Sequence, residues 1–218
     1  MLAGRAPAFD PRRIFDVAQR TEREGGKAVR RPRVICVCAV LLFGLGGAAA
    51  GEIADLARGA EAKLQSGQNV EAIESLRQAL RLAHDQSPLA FRKAVFVSEA
   101  PSGFGIYKER ASSLFTPGEP LIAYVEPIGV GWAKQDSGDF HSLLTVDFDI
   151  RNPAGDILAG KKDFGRFEFV SREENTEIMT HLTLNLTGAP PGKYVLGVVY
   201  HDTTTGKSAN ADLPFEIK

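Results

Sequence analysis

The side chains able to do chemistry are few, and their spacing argues against catalysis. The chain has 218 residues and four histidines. Asp139-Phe140-His141-Ser142 contains an acid, an imidazole and a hydroxyl. Neighbours along a strand point in opposite directions, whereas acid-base-nucleophile sets converge from separate segments. His181 and His201 fall in strand-like segments and could sit on neighbouring strands with the same outward sense. A metal there would need a third ligand such as Asp202, and no compact ligand spacing supports one. Asp147 and Asp149 share a face, as glycosidase carboxylates can, but the surrounding pattern offers no apolar pocket to raise either pKa. No glycine-rich phosphate loop, HExxH helix or G-x-S-x-G elbow occurs. We therefore assign no catalytic residue, no metal ligand and no cofactor. A hydrolase would need a cleft that gathers Asp139, His141 and Trp132.

Recognition is better served. Trp132 is the sole tryptophan, set between Gly131 and Ala133 and followed by the polar turn Lys134-Gln135-Asp136-Ser137-Gly138. With few local apolar neighbours, such a residue either folds over the end of its domain or anchors a partner. Lys134 lies beside it. Phe164 opens an aromatic strand in which alternation turns Phe167 and Phe169 inward and leaves Phe164 nearer an edge. Trp132, Lys134 and Phe164 are the expected partner-binding residues. The expected partner is a protein; a carbohydrate is the alternative, and it would call for aromatic faces exposed in a flat row.

These residues sit on elements whose periods are legible. Between Glu52 and His84 the residues Ile53, Leu56, Ala57, Ala60 and Leu64, then Val70, Ile73, Leu76, Leu80 and Ala83, recur at helical spacing. Ser66-Gly67-Gln68-Asn69 interrupts them, which predicts an αα-hairpin. After Pro88 the period becomes two. Strands are expected over Phe91–Glu99, Pro120–Val130, Leu143–Arg151, Phe164–Val170, Ile178–Thr187, Tyr194–His201 and Ala209–Lys218, bounded by Gly-, Pro- and Asn-rich turns. Leu144, Val146, Phe148 and Ile150 alternate with polar residues, as do Leu182, Leu184 and Leu186, and Leu213, Phe215 and Ile217. Short strands with one polar face and no intervening helices describe a mainly β fold, an antiparallel sandwich with an N-terminal αα-hairpin. The expected divisions are 1–50 as a signal segment, 51–88 as the hairpin and 89–218 as the sandwich.

Gly67, Ala72-Ile73, Leu76 and Ala79-Leu80, with Ala60 at the helix crossing, resemble one tetratricopeptide repeat, although His84 stands where that family has its terminal proline. One copy cannot bury its own apolar face, so the hairpin is expected to pack on the sandwich, on a second copy of the chain or on a partner. From Pro191-Gly192-Lys193-Tyr194 to Leu213-Pro214-Phe215 the chain resembles the last hairpin of immunoglobulin-like or fibronectin type III-like domains. That likeness implies a corner role for Tyr194, whose hydroxyl would tie back to the backbone.

The net charge of -1 conceals an asymmetry: Arg5, Arg12, Arg13, Arg20, Arg23, Lys27, Arg30, Arg31 and Arg33 precede the first long apolar run. The balance gives no pull toward nucleic acid. Val34 to Ala50 is uncharged, follows this basic stretch and ends in small residues, the layout of a cleavable secretory signal. The reading is a periplasmic or secreted protein; membrane anchoring by residues 34–50 is the alternative, and would be its only membrane contact. Cys36 and Cys38, the only cysteines, lie in this run, so a cleaved protein has neither disulfide nor thiol chemistry. Mass spectrometry of protein from its native host should find an N-terminus near Gly51. Recovery of an intact chain in the membrane fraction would instead establish an anchor.

Overall fold

The computed structural model describes residues 47–218, with side chains from Gly51 onward; the proposed leader run Val34–Ala50 lies almost wholly outside the described residues. The elements in chain order are α1 (Gly47–Gln65), α2 (Asn69–Gln86), β1 (Ala90–Val97), β2 (Leu114–Phe115), β3 (Pro120–Ile128), β4 (Ala133–Lys134), β5 (Phe140–Arg151), β6 (Ile157–Ser171), β7 (Thr180–Asn185), β8 (Gly192–Asp202) and β9 (Ser208–Ile217). The protein is mainly β. The two-residue strands β2 and β4 carry too short a pattern to read from sequence. β6 begins seven residues before the expected Phe164, because its first half, Ile-Leu-Ala-Gly-Lys-Lys-Asp from 157 to 163, is partly exposed and shows no strict alternation of apolar and polar residues.

Two sheets form. One has the order β1-β3-β7, all antiparallel; the other has β2-β9-β8-β5, with β6 and the short β4 also paired to β5. β2 runs parallel to β9, with Phe115 beside Ile217; every other pairing is antiparallel. Both sheets turn apolar residues into one core: Leu121, Ala123 and Val125 from β3 and Leu182 and Leu184 from β7, against Leu144, Val146 and Phe148 from β5, Leu196 and Val198 from β8, and Leu213 and Phe215 from β9. Phe96, Phe115 and Phe215 meet edge to face, the arrangement ring quadrupoles favour.

One departure from plain alternation moves a candidate residue. The β5–β6 register passes from Val146↔Gly165 to Phe148↔Lys161, so three residues of β6 oppose Asp147 alone. In this bulge Asp163 adopts φ 50 and its N–H donates to Asp147 Oδ1 at 2.8 Å. The two extra residues leave the alternation in phase on either side, and only the bulged segment 162–164 departs from it. Phe164 is therefore turned onto Phe148, with ring centroids 4.6 Å apart, and packs against the core as Phe167 and Phe169 do. Phe164 is on β6, the outer strand of its sheet, as expected of a residue nearer an edge, but its ring is folded onto the core. The pairing of His181 with His201 is corrected, since β7 and β8 belong to different sheets. His201 instead contacts Asp147.

The helices pack on each other through small side chains, with Ala60, Ala72, Ser75 and Ala79 buried between them. Lys63 Nζ donates to Ser75 Oγ across the contact at 2.7 Å. They meet the sheets mainly through α2: Arg77 pairs with Glu173, and the His84–Leu89 segment lies against the β3–β4 loop and the β8–β9 turn.

At the start of β8, the Tyr194 hydroxyl donates to the carbonyl of Pro190 at 2.7 Å, closing the turn that leads from β7. Tyr194→Phe keeps the ring and removes this bond. It should lower unfolding free energy by about 1 kcal/mol in a urea titration; an unchanged midpoint would mean that the bond contributes nothing beyond the ring.

Candidate functional site

Trp132 lies at the end of the molecule nearest the helices, in a short loop clamped from two sides. Gly129 has φ 75, and a Cβ there would come within 2.3 Å of the Pro88 carbonyl oxygen. A Cβ on Gly131 would come within 2.1 Å of Thr205 Cγ2. Neither position has room for a side chain: Gly129 is crowded by the Pro88 backbone, and Gly131 by the Thr205 side chain, which Asp202 holds in place. Lys207 Nζ donates to the carbonyls of Gly129 and Asp85, joining the loop, the β8–β9 turn and the end of α2.

The central clamp is Asp202, 1% exposed. Its Oδ2 accepts from Gly131 N–H at 2.8 Å and from Thr205 Oγ1 at 2.7 Å, and its Oδ1 accepts from Thr204 N–H at 2.9 Å. His84 is a second clamp, accepting Gly129 N–H on Nδ1 at 3.2 Å. Burial holds the His84 imidazole below its usual range, with a smaller opposing pull from Asp85 and a reinforcing push from Lys207. The neutral ring is the one with a lone pair on Nδ1 to accept that bond. Sequence reasoning missed both residues. The only signal was a histidine in the last turn of a helix and an acid at the mouth of a Thr-rich turn, patterns that ordinarily mark solvated positions.

Beyond the clamp, Trp132 is half-buried against the core, and its indole N–H donates to the Asn175 carbonyl at 3.1 Å. With Phe104, Phe169 and Met179 it lines a cleft of about 320 Å³ that also carries Glu168 and Glu177. Phe104 arrives on the β1–β2 loop, which is fixed to the outer face of β3. Gly105 N–H donates to the Tyr124 hydroxyl at 2.8 Å, and that hydroxyl donates to Glu126 Oε1 at 2.7 Å. Burial, with the bond to Glu126 adding to it, pushes the Tyr124 phenol up to about 12. Glu126, itself 1% exposed, forms an ion pair with Arg92, whose guanidinium lies 4.9 Å from the centre of the Phe104 ring.

The three expected recognition residues do not gather. Trp132 lines the cleft. Lys134 is exposed on β4, 6.0 Å from the Phe140 ring centre. Phe164 lies about 13 Å along β6 from Glu168, the nearest cleft residue on that strand, four residues at the rise of a strand. Nor do Asp139 and His141 line the cleft: Asp139 pairs with Arg172, and His141 Nε2 contacts Glu168 at 2.8 Å. Among the described residues, no group of three His, Cys, Asp or Glu is placed to hold a metal ion, and no helix is long and apolar enough to cross a membrane. A larger recess of about 460 Å³, lined by Leu114, Lys193, Tyr194, Pro214 and Phe215, lies at the opposite end of β8 and is almost wholly apolar.

No family model matches the chain, and no curated protein matches it. Among solved structures, an alkylpurine DNA glycosylase, AlkC, of Pseudomonas fluorescens bound to DNA with an abasic-site analogue is 13% identical at a TM-score of 0.34, over 71% of this chain and 39% of that one. A family 123 glycoside hydrolase from Clostridium perfringens is 15% identical at a TM-score of 0.35, over 61% of this chain and 27% of that one. The chain spans less than half the length of either protein, and likenesses of this size carry neither activity across. What the fold and site define is a mainly β protein with antiparallel sheets, two N-terminal helices and an aromatic cleft at the end where they meet.

The His84 clamp has a sign that can be tested. Its folded pKa lies below the value of about 6.5 expected in the unfolded chain. The unfolded state therefore takes up the proton first as pH falls. The His84 contribution is complete above about pH 6.5, declines as pH drops from there through the lowered folded value, and levels off below it. Urea unfolding between about pH 5 and 8 should show a steeper acid loss in the native protein than in His84→Gln. The His141–Glu168 and His201–Asp147 contacts are common to both proteins and cancel in the difference. Parallel profiles would remove His84 as a clamp.

Proposed function

We propose that this chain is an exported, non-catalytic interaction protein in which an immunoglobulin-like sandwich, 89–218, carries a tetratricopeptide-like helix pair, 51–88, that docks a protein partner. The immunoglobulin-like reading is supported by the strand arrangement β1-β3-β7 facing β9-β8-β5-β6, by β2 crossing to run parallel to β9, and by the Tyr194 hydroxyl bond to Pro190. The export reading rests on the basic and apolar N-terminal pattern.

One observation carries the docking reading. The helix pair buries small residues and leaves five large apolar ones exposed: Val70 is 78% exposed, Ile73 56%, Leu64 and Leu80 49% and Leu76 45%. Ile73, Leu76 and Leu80 are three and four residues apart on α2, so they form a stripe along one side of it. Glu74 and Arg81, paired at 3.1 Å, lie on the same helix and add charge to the surface around that stripe. Isolated exposed leucines are ordinary, but a contiguous stripe with a polar border marks a contact surface. Its natural complement is an amphipathic helix laid along α2, as a following repeat would lie.

A photo-cross-linking residue at Leu76 in the native host should capture a defined partner. Ile73→Glu with Leu80→Glu should abolish capture while leaving the thermal midpoint within a few degrees, since both side chains are already solvated. Capture that survives the double variant, or a collapse in its stability, would overturn the reading. Cross-links only to further copies of this chain would make the surface an oligomer contact.

A further inference from the structure

We infer that the cleft between Trp132 and Phe104 is a binding site for a small organic ammonium cation. The inference stands apart from the helix surface and does not rest on it. The cleft is of the size that small-molecule sites begin at, and its walls come from four separate segments: Phe104 from the β1–β2 loop, Trp132 from the β3–β4 loop, Glu168 and Phe169 from β6, and Glu177 and Met179 from the approach to β7. Aromatic rings present negative π-faces, and carboxylates supply full negative charge. Together they suit a soft, weakly hydrated cation with an apolar body, such as a quaternary ammonium, which loses little hydration on entering.

The charges around the cleft fit this reading. Among the described residues, no lysine or arginine lines it. The nearby guanidiniums are engaged elsewhere, Arg92 by Glu126, Arg172 by Asp139 and Arg77 by Glu173. Glu168 is contacted by His141 and feels Arg166. Glu177 makes no hydrogen bond or ion pair with any described residue, and its charge is left for a ligand. Arg92, its charge balanced by Glu126, already occupies one face of the Phe104 ring, 4.9 Å from its centre, the same cation-on-ring contact that a ligand would make. A sugar fits less well. Trp132 is half-buried against the core with its N–H committed to Asn175, so it does not stand out as the flat stacking platform a sugar would need.

The cleft is pre-formed. Asp202 and His84 hold the Trp132 loop, and Tyr124 with Glu126 holds the Phe104 loop, so little ordering cost falls on binding.

Trp132 is the sole tryptophan, so intrinsic fluorescence of the full chain reads this cleft directly. Titration with choline should give a saturable change, while the neutral isostere 3,3-dimethylbutan-1-ol should give none over the same range. Glu177→Gln should weaken choline binding about tenfold with an unchanged thermal midpoint. Phe104→Leu, which keeps an apolar wall without the π-face, should weaken it comparably. An equal response to the neutral isostere would reduce the cleft to an apolar pocket. A response to cellobiose and not to choline would assign it to sugars. Silence toward every probe, or choline binding indifferent to both substitutions, would also overturn the proposal.

Discussion

The Asp202 carboxylate is buried to 1% exposure and is satisfied by donors from two loops, Gly131 on one side and Thr204 and Thr205 on the other. A carboxylate removed from water without such donors would cost several kcal/mol, so the loops must close on it or the end of the fold must open. Closing brings the Trp132 loop so near the β8–β9 turn that only glycine fits at 131. The same closure seats Lys207 on the Gly129 and Asp85 carbonyls and Gly129 on His84. One buried acid thus couples the sheets, the tryptophan loop and the last turn of α2.

A second buried acid does comparable work on the outer face of the three-stranded sheet. Glu126 faces away from the core, yet it is covered, because Tyr124 and Arg92 engage it and the β1–β2 loop folds over both. Tyr107 stacks on Tyr124 with ring centres 4.2 Å apart, so the loop is held by aromatic packing as well as by hydrogen bonds. The result is a long loop in a defined path, delivering Phe104 to the cleft. Removing one member of such a network leaves the others buried and unpaired, so its parts are expected to act as a unit.

The helix pair obeys a different constraint. Its interior is alanine and serine, which lets the helices approach closely but buries little apolar area per residue. The large side chains are consequently spent on the outside, and the attachment to the sheets is polar: an Arg77–Glu173 pair, a histidine acceptor and a lysine on two carbonyls. A surface pair of that kind contributes about 0–1 kcal/mol. The helices are positioned by these contacts and are left with apolar surface to bury.

The sequence alone determined the elements with strong local periods. Leu144 to Ile150, Leu182 to Leu186 and Leu213 to Ile217 alternate because one face of each strand is core and the other water, and that requirement is written residue by residue. The helical spacing of Ile73, Leu76 and Leu80 was equally legible, and so were the pairing of small residues at Ala60 and Ala72 and the corner bond of Tyr194, since each depends on neighbours within a few positions or on a repeated motif. Tertiary structure decided the rest. A bulge at Asp163, with three residues of β6 opposite Asp147, turned Phe164 onto Phe148, and such a local insertion leaves no trace in composition. β7 and β8 fell in different sheets, which separated His181 from His201. Asp202 and Glu126 look like solvated acids on paper; they are buried because Gly131, 71 residues from Asp202, and Arg92, on the strand beside Glu126, meet them in space. The cleft is of the same kind: Phe104, Trp132 and Glu168 are 28 and 36 residues apart, with Glu177 nine further on, and only the folding of two sheets against each other sets them around one volume.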